Sequence, residues 1–148
     1  MGDVAVRPAK ASEKVLITDL VMRSKASNGY DDAFMDACRE ELRVRDDWFT
    51  DHFVVAEEQG AVLGCARLRG NGEIKTFFVD PDAKRRGVGR ALWSSLLAEA
   101  RRRKIERLVL ESDPEAESFY ARLGFRTCGR VPSGSIAGRT LPLMEMFP

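Results

Sequence analysis

The densest chemistry in this chain lies in Val79-Asp80-Pro81-Asp82-Ala83-Lys84-Arg85-Arg86-Gly87-Val88-Gly89-Arg90. A β-type apolar run ends at Val79 and a helical pattern opens near Gly87, so the basic stretch is a strand-to-helix turn. The first four N–H groups of a helix have no intrahelical partner, and they carry a partial positive charge. Gly87 and Gly89 remove side chains where a ligand would have to approach those amides. Lys84, Arg85, Arg86 and Arg90 add formal cations around Val88. Amides and cations gathered at a helix start suit a diphosphate. A tight turn with solvated arginines would use the same residues, so the Gly-x-Gly spacing alone leaves both readings open. Two nucleotide loops are excluded by composition. No Gly-x4-Gly-Lys-Ser/Thr string exists, and a dinucleotide loop would need glycine at position 92, which is Leu92.

The charge around this turn is a local feature. Residues 84–104 carry eight cations against the single acid Glu99, a local charge of +7, while the whole chain carries +1. The remainder therefore carries −6 and is acidic, which argues against a broad nucleic-acid clamp. With 148 residues, 44% apolar and 32% charged, the chain reads as one globular domain spanning 1–148. No apolar run approaches the roughly 20 residues of a membrane span. Met1-Gly2-Asp3-Val4-Ala5-Val6 lacks the apolar stretch of a signal peptide, and Val6 stands where a myristoylation signal needs Ser or Thr. Cys38, Cys65 and Cys128 are odd in number and widely spaced, so neither a disulfide frame nor a metal site is expected. A reduced cytoplasm is the default expectation.

The elements that must position the basic turn follow from periodicity. Val4 and Val6 alternate as a short strand. Ser12 is read as the N-cap of a helix whose apolar stripe is Val15, Leu16, Leu20 and Val21, broken by residues 24–29. A second helix covers 31–42, with Phe34, Met35, Cys38 and Leu42 on one stripe. The runs 52–57 and 61–68 form a hairpin turning at Gln59-Gly60, and 73–79 extends it as a third strand. A long helix occupies 87–103, with Val88, Ala91, Leu92, Leu96, Leu97 and Ala100 on its buried face. Leu108-Val109-Leu110 reads as a buried strand after a crossover. A short helix over 115–123 closes at Gly124, and strands at 125–130 and 140–146 finish the chain. Pro142 marks the last strand as an edge or a bulged one. The order βααβββαβαββ predicts an α/β fold with a mixed, mostly antiparallel central sheet and flanking helices.

Two motifs then carry a resemblance. Lys84-Arg85-Arg86-Gly87-Val88-Gly89, five residues after Val79, resembles the acetyl-CoA loop of the GNAT superfamily of N-acetyltransferases, whose pattern is Gln/Arg-x-x-Gly-x-Gly/Ala. Lys84 departs from the first position but keeps its charge. Ala116-Glu117-Ser118-Phe119-Tyr120-Ala121-Arg122-Leu123-Gly124-Phe125 is similar to the family segment Ala-x-x-Phe-Tyr-x-x-x-Gly-Phe. The motifs cover 73–125, in order and correctly spaced, and the element order fits across the chain. Asp113 stands where many members have Asn, at a side-chain contact to the pantetheine arm.

The resemblance implies an N-acetyltransferase that moves an acetyl group from acetyl-CoA to a primary amine in a ternary complex, without a metal. It implies that Phe77, Phe78, Val79 and Asp113 meet the pantetheine arm, that Lys84, Arg85, Arg86, Gly87, Val88, Gly89 and Arg90 hold the diphosphate, and that Phe119 also lines the cofactor site. Tyr120 matches the residue that often protonates the departing sulfur. Glu73 matches a catalytic glutamate of some members, and a strand period of two puts it on one face with Lys75, Phe77 and Val79. Only about one lysine-like ammonium in 2,500 is neutral at pH 7, so a base is needed, with a water chain as the alternative to Glu73. Nothing in 73–79 (neither Gly nor Pro) marks the local bulge that family members carry in this strand. The acceptor site is expected between the first two helices, 24–30, and beside the loop 133–139, with Asn28, Tyr30 and Ser133 as contacts. The acceptor, a small-molecule or peptide amine, stays open, as does a homodimer, since many members pair. A non-catalytic acyl-CoA sensor and a small RNA-binding module are the rival readings.

Overall fold

The computed structural model describes residues 4–148, so Met1, Gly2 and Asp3 of the N-terminal reading lie outside the described residues. The elements are β1 (Ala5–Pro8), α1 (Lys14–Ala26), α2 (Asp32–Leu42), β2 (His52–Glu58), β3 (Ala61–Leu68), β4 (Ile74–Val79), α3 (Val88–Arg102), β5 (Leu108–Glu111), α4 (Glu117–Leu123), β6 (Arg126–Pro132) and β7 (Thr140–Met146). Short 3₁₀ turns sit at Ala11–Glu13, Asp46–Thr50, Pro81–Ala83 and Pro114–Ala116. The expected order stands. No helix among the described residues is long and apolar enough to cross a membrane.

The single sheet expected from the sequence is divided in two. An antiparallel meander β1-β2-β3-β4 lies beside an antiparallel sheet ordered β5-β7-β6. One parallel bridge, Glu73 with Val109, joins them, and the Val109 amide donates to the Gly72 carbonyl at 3.0 Å. Gly72 makes this junction possible. It has φ +91°, and a Cβ there would lie 2.3 Å from the Arg107 carbonyl oxygen. Only glycine fits both demands. Beyond the bridge β4 and β5 diverge.

Helix α3 crosses from β4 to β5 and buries Val88, Leu92, Leu96 and Ala100 of the expected stripe against the sheets, with Trp93 added to it and Ala91 and Leu97 only half-buried. Its start is pressed on β3 because residue 64 is glycine. A Cβ at Gly64 would meet Val88 Cγ1 at 2.8 Å and Leu92 Cδ1 at 3.0 Å. A second core under α1 gathers Ile17, Leu20, Val21, Trp48, Val55 and Cys65. Each such aliphatic side chain, fully buried, contributes roughly 1.5–3 kcal/mol.

Three local expectations are corrected. Ser12 caps nothing: Glu13 closes a 3₁₀ turn by accepting from the Lys10 amide at 2.9 Å, and α1 starts at Lys14. The buried stripe is Ile17, Leu20 and Val21, leaving Val15 84% and Leu16 52% exposed, because that i, i+3, i+4 set faces the sheet. Residues 24–26 remain helical, and the chain turns only near Gly29, at φ +92°. Finally, β7 is the central strand of its sheet rather than an edge, although it contains Pro142, and the bulge in its pairing with β6 falls on β6, where Cys128 is skipped. The Pro142 carbonyl accepts from Ser112, so its missing N–H faces the same side, at the very end of the β5 pairing, where only the last reciprocal bond of the ladder is forgone.

His52 lies 3.2 Å from Ser95 Oγ, with burial pushing its pKa down. Trp48 and Trp93 pack edge-on against Phe53 and Phe125. At the end of α3, Arg102 and Arg103 pair with Glu99 at 2.6 and 2.5 Å, which neutralises part of the basic segment.

Candidate active site

The divergence of β4 and β5 opens a cleft of about 660 Å³. Its floor is β4, one end is the turn into α3, the far wall is α4, and the C-terminal half of α1 overhangs it. The strand is bent by an irregularity that the sequence did not announce. Leu68 faces Ile74 while Arg67 faces Thr76, so Lys75 has no partner on β3. A bulge of this kind increases local twist and lets a strand leave its neighbour.

The bulge also overturns the expected alternation. Ile74, Phe77 and Val79 share the α3-side core, while Phe78 packs under α1. Counted back through the bulge, Glu73 belongs to the face opposite Phe77. Its carboxylate lines the cleft mouth and pairs with Arg69 at 3.0 Å and Lys75 at 3.2 Å.

At the phosphate end, Gly87 takes a left-handed φ of +82° and its carbonyl accepts the Ala91 amide, so α3 begins there with its first amides unpaired. Arg85 is also left-handed, at φ +67°. Lys84, Arg85 and Arg90 line the cleft with Gly87, Val88 and Gly89. The Val88 side chain is buried beneath the helix, so this residue offers its backbone. Arg86 turns away and pairs with Glu58 at 2.5 Å. A Cβ on Gly89 would sit 3.2 Å from Phe119 Cζ, so glycine keeps the Phe119 ring in place.

Tyr120 is 8% exposed, its ring set among Phe77, Phe119 and Phe125 at centroid distances of 5.9, 5.2 and 5.9 Å. It lines the cleft, and no hydrogen bond holds its hydroxyl among the described residues. Burial, with the Asp113 charge second, raises the pKa of that hydroxyl well above the ordinary tyrosine value, so it stays protonated.

The two strand ends that frame the cleft use the same device. Asp80-Pro81 follows β4 and Asp113-Pro114 follows β5; each Asp carboxylate accepts the amide two residues on, at 2.9 Å. Each also meets a cation of α1: Arg23 reaches Asp80 at 3.0 Å and Lys25 reaches Asp113 at 2.5 Å. Tyr30 donates to Asp113 at 2.9 Å and accepts from Arg139 at 2.7 Å. Desolvation is the largest influence on Asp113 and raises its pKa, but the Lys25, Glu115 and Tyr30 hydrogen bonds bring it below the usual carboxylate value. Asn28 lines the cleft. Tyr30 stands behind Asp113, and Ser133 Oγ accepts the Ser135 and Ile136 amides, capping its own loop.

Lys25 and Arg139 are the site residues that sequence reasoning missed. Lys25 lies in the segment singled out for the acceptor, but its partner is 88 residues away and no local pattern reveals it.

Comparison with known proteins agrees with this fold. The GNAT acetyltransferase domain, as a family model, matches residues 20–146. A 5-NmdU N-acetyltransferase of Pseudomonas phage PaMx11 is 28% identical over 147 residues, covering 96% of this chain and 98% of its own. A GCN5-related N-acetyltransferase structure from Rhodopseudomonas palustris superposes with TM-score 0.86 at 23% identity, covering 100% of this chain and 98% of that one. The PaiA N-acetyltransferase of Thermoplasma acidophilum, solved with coenzyme A, gives TM-score 0.82 at 14% identity over 99% of both chains. With the matched domain spanning the cleft and both of its walls, this chain belongs to the GNAT acetyltransferase family.

Proposed function

We propose that this chain transfers an acetyl group from acetyl-CoA to a primary amine, by direct attack in a ternary complex. The observation that carries the reading is the convergence on one cleft of an open helix start, the cations Lys84, Arg85 and Arg90, and the unbonded Tyr120 hydroxyl. The fit at the phosphate end is chemical. Unpaired α3 amides and the bare Cα of Gly89 accept an anion that a side chain would exclude.

Acetyl-CoA, when bound, supplies a thioester carbonyl open to amine attack and a thiolate leaving group. The edge of β4 at 77–79, splayed from β5, has main-chain groups free to hold an extended arm and to donate to the carbonyl oxygen. One such donor is typically worth about 3 kcal/mol. Tyr120 holds a proton at its hydroxyl for the departing sulfur. A thiol pKa near 8.5 already makes a good leaving group, so this proton is worth about 10²–10⁴-fold at most. Glu73, on the far face of the bulged strand, takes the ammonium proton through water. The acceptor, a small-molecule or peptide amine, enters beside Asn28, between α1 and the β6–β7 loop where Tyr30 and Ser133 lie.

The test is thiol release from acetyl-CoA across a panel of amines, with isothermal titration of acetyl-CoA in parallel. Amine-dependent release supports the reading. Tight binding with no release from any amine would make the chain a sensor, and no binding would remove the assignment of the cleft.

A further inference from the structure

The family resemblance assigns position 113 to the pantetheine arm. In this chain the Asp113 carboxylate is already occupied. A carboxylate offers about four lone-pair sites. Here Oδ1 accepts from the Glu115 amide at 2.9 Å and Tyr30 Oη at 2.9 Å, and Oδ2 accepts from Lys25 Nζ at 2.5 Å with Tyr30 Oη at 3.0 Å. Arg139 Nη2 stands 3.8 Å from the same Oδ2 and donates to Tyr30 Oη at 2.7 Å. The side chain is 13% exposed, so these bonds form largely out of water.

The groups held come from three distant segments: α1, the turn into α2, and the β6–β7 loop. Both cations also lie beside an aromatic pair. Tyr30 stacks on Phe34 at 3.9 Å, with Arg139 5.1 Å and Lys25 5.2 Å from the Tyr30 ring centre. Elsewhere along the same wall, Glu41 of α2 accepts from the Ser135 hydroxyl of the loop.

The geometry points to Asp113 as a positioning residue that ties the two walls of the acceptor site together, rather than as a ligand of the cofactor arm. This inference rests on the proposed acetyl transfer to an amine. A neutral amide cannot replace the carboxylate. In Asp113→Asn one of the two former acceptor atoms becomes an NH₂ donor, and it faces either the Lys25 ammonium or the Glu115 amide. Either way the tie loses the carboxylate charge that strengthens the Lys25 bond, and one of its donors is left without an acceptor.

The test compares wild type with Asp113→Asn, Tyr30→Phe and Arg139→Gln. In Asp113→Asn the acceptor KM rises about 10–100-fold, with kcat changed less than threefold and acetyl-CoA Kd within twofold. Tyr30→Phe and Arg139→Gln shift KM in the same direction, by about 3–10-fold. Trypsin cleaves Asp113→Asn and Tyr30→Phe after Lys25 or Arg139, and Arg139→Gln after Lys25, faster than wild type, a readout that needs no turnover. A weakened acetyl-CoA Kd with unchanged acceptor KM would return Asp113 to the cofactor and overturn the proposal, as would unchanged KM and cleavage. Should Asp113→Asn fail to fold, the other two variants decide by the same measures. An inactive wild type whose variants are cleaved faster sinks the acetyl-transfer reading while leaving the tie intact.

Discussion

Gly89→Glu tests the phosphate end of the cleft most directly. The new Cβ would lie 3.2 Å from Phe119 Cζ and 3.4 Å from Cε1, and the ring cannot retreat freely because it packs on Phe77 at 5.6 Å and Tyr120 at 5.2 Å. Crowding of this kind costs about 1–3 kcal/mol. Replacing a helical glycine returns about 1 kcal/mol, and an acid in the first turn returns about 0.3–1 kcal/mol, so the fold is expected to survive. Binding is not. A carboxylate about 5 Å from a phosphate is repelled by about 3 kcal/mol at an effective dielectric near 20, which is about 10²-fold in affinity. Pairing with Lys84, Arg85 or Arg90 would cancel one cation and deepen the loss. Thermal unfolding should place the Tm of the variant within about 6 °C of wild type, while isothermal titration finds acetyl-CoA Kd raised at least about 100-fold. A folded variant that binds acetyl-CoA within about threefold of wild type refutes the cradle.

The other predictions concern the chemistry and the junction of the sheets. Tyr120→Phe should lower kcat about 10²-fold with acetyl-CoA affinity nearly intact, and an unaltered rate removes the tyrosine from the mechanism. Because burial raises its pKa above the ordinary value, Tyr120 stays protonated as pH rises, so kcat/KM for the amine should climb with pH and show no fall below about pH 10. A limb descending near pH 8 would contradict a protonated Tyr120. Glu73→Gln should reduce kcat about tenfold, less than the roughly 10²–10⁴-fold of a base in direct contact because the proton is relayed through water, and no change would leave water alone as the base. Gly72→Ala places a Cβ 2.3 Å from the Arg107 carbonyl at a left-handed φ, at a cost of about 2–4 kcal/mol, so Tm should drop by about 5 °C or more. An unchanged Tm would mean the bridge between the sheets bends easily.

The parts of the site that were legible in sequence are the parts encoded within a few residues. Gly87, Gly89 and their cations announce a helix start because amides, glycines and charge must be contiguous there. The Phe119-Tyr120 pair was likewise a local motif. What escaped the reading depends on distant contacts or on phase. Val15, Leu16 and Ile17 are consecutive apolar residues, so the sequence alone allows more than one buried stripe; packing under β2 and β3 selects Ile17. The bulge at Lys75 has no glycine or proline to mark it, and it reverses the face assigned to Glu73. Arg85 and Arg86 look equivalent in sequence, yet the left-handed backbone at Arg85 and the Glu58 carboxylate send only Arg85 into the cleft. The partners of Asp113 lie 83 and 88 residues away, beyond the reach of any periodicity.

The splayed edge of β4 has an evolutionary corollary. Recognition through peptide groups depends on the path of the chain and hardly at all on which side chains decorate it. Substitutions along that strand are therefore filtered for curvature and packing, and the identity of the residues can drift. A superposition at TM-score 0.86 with 23% identity shows the path of the chain kept while most of its residues differ.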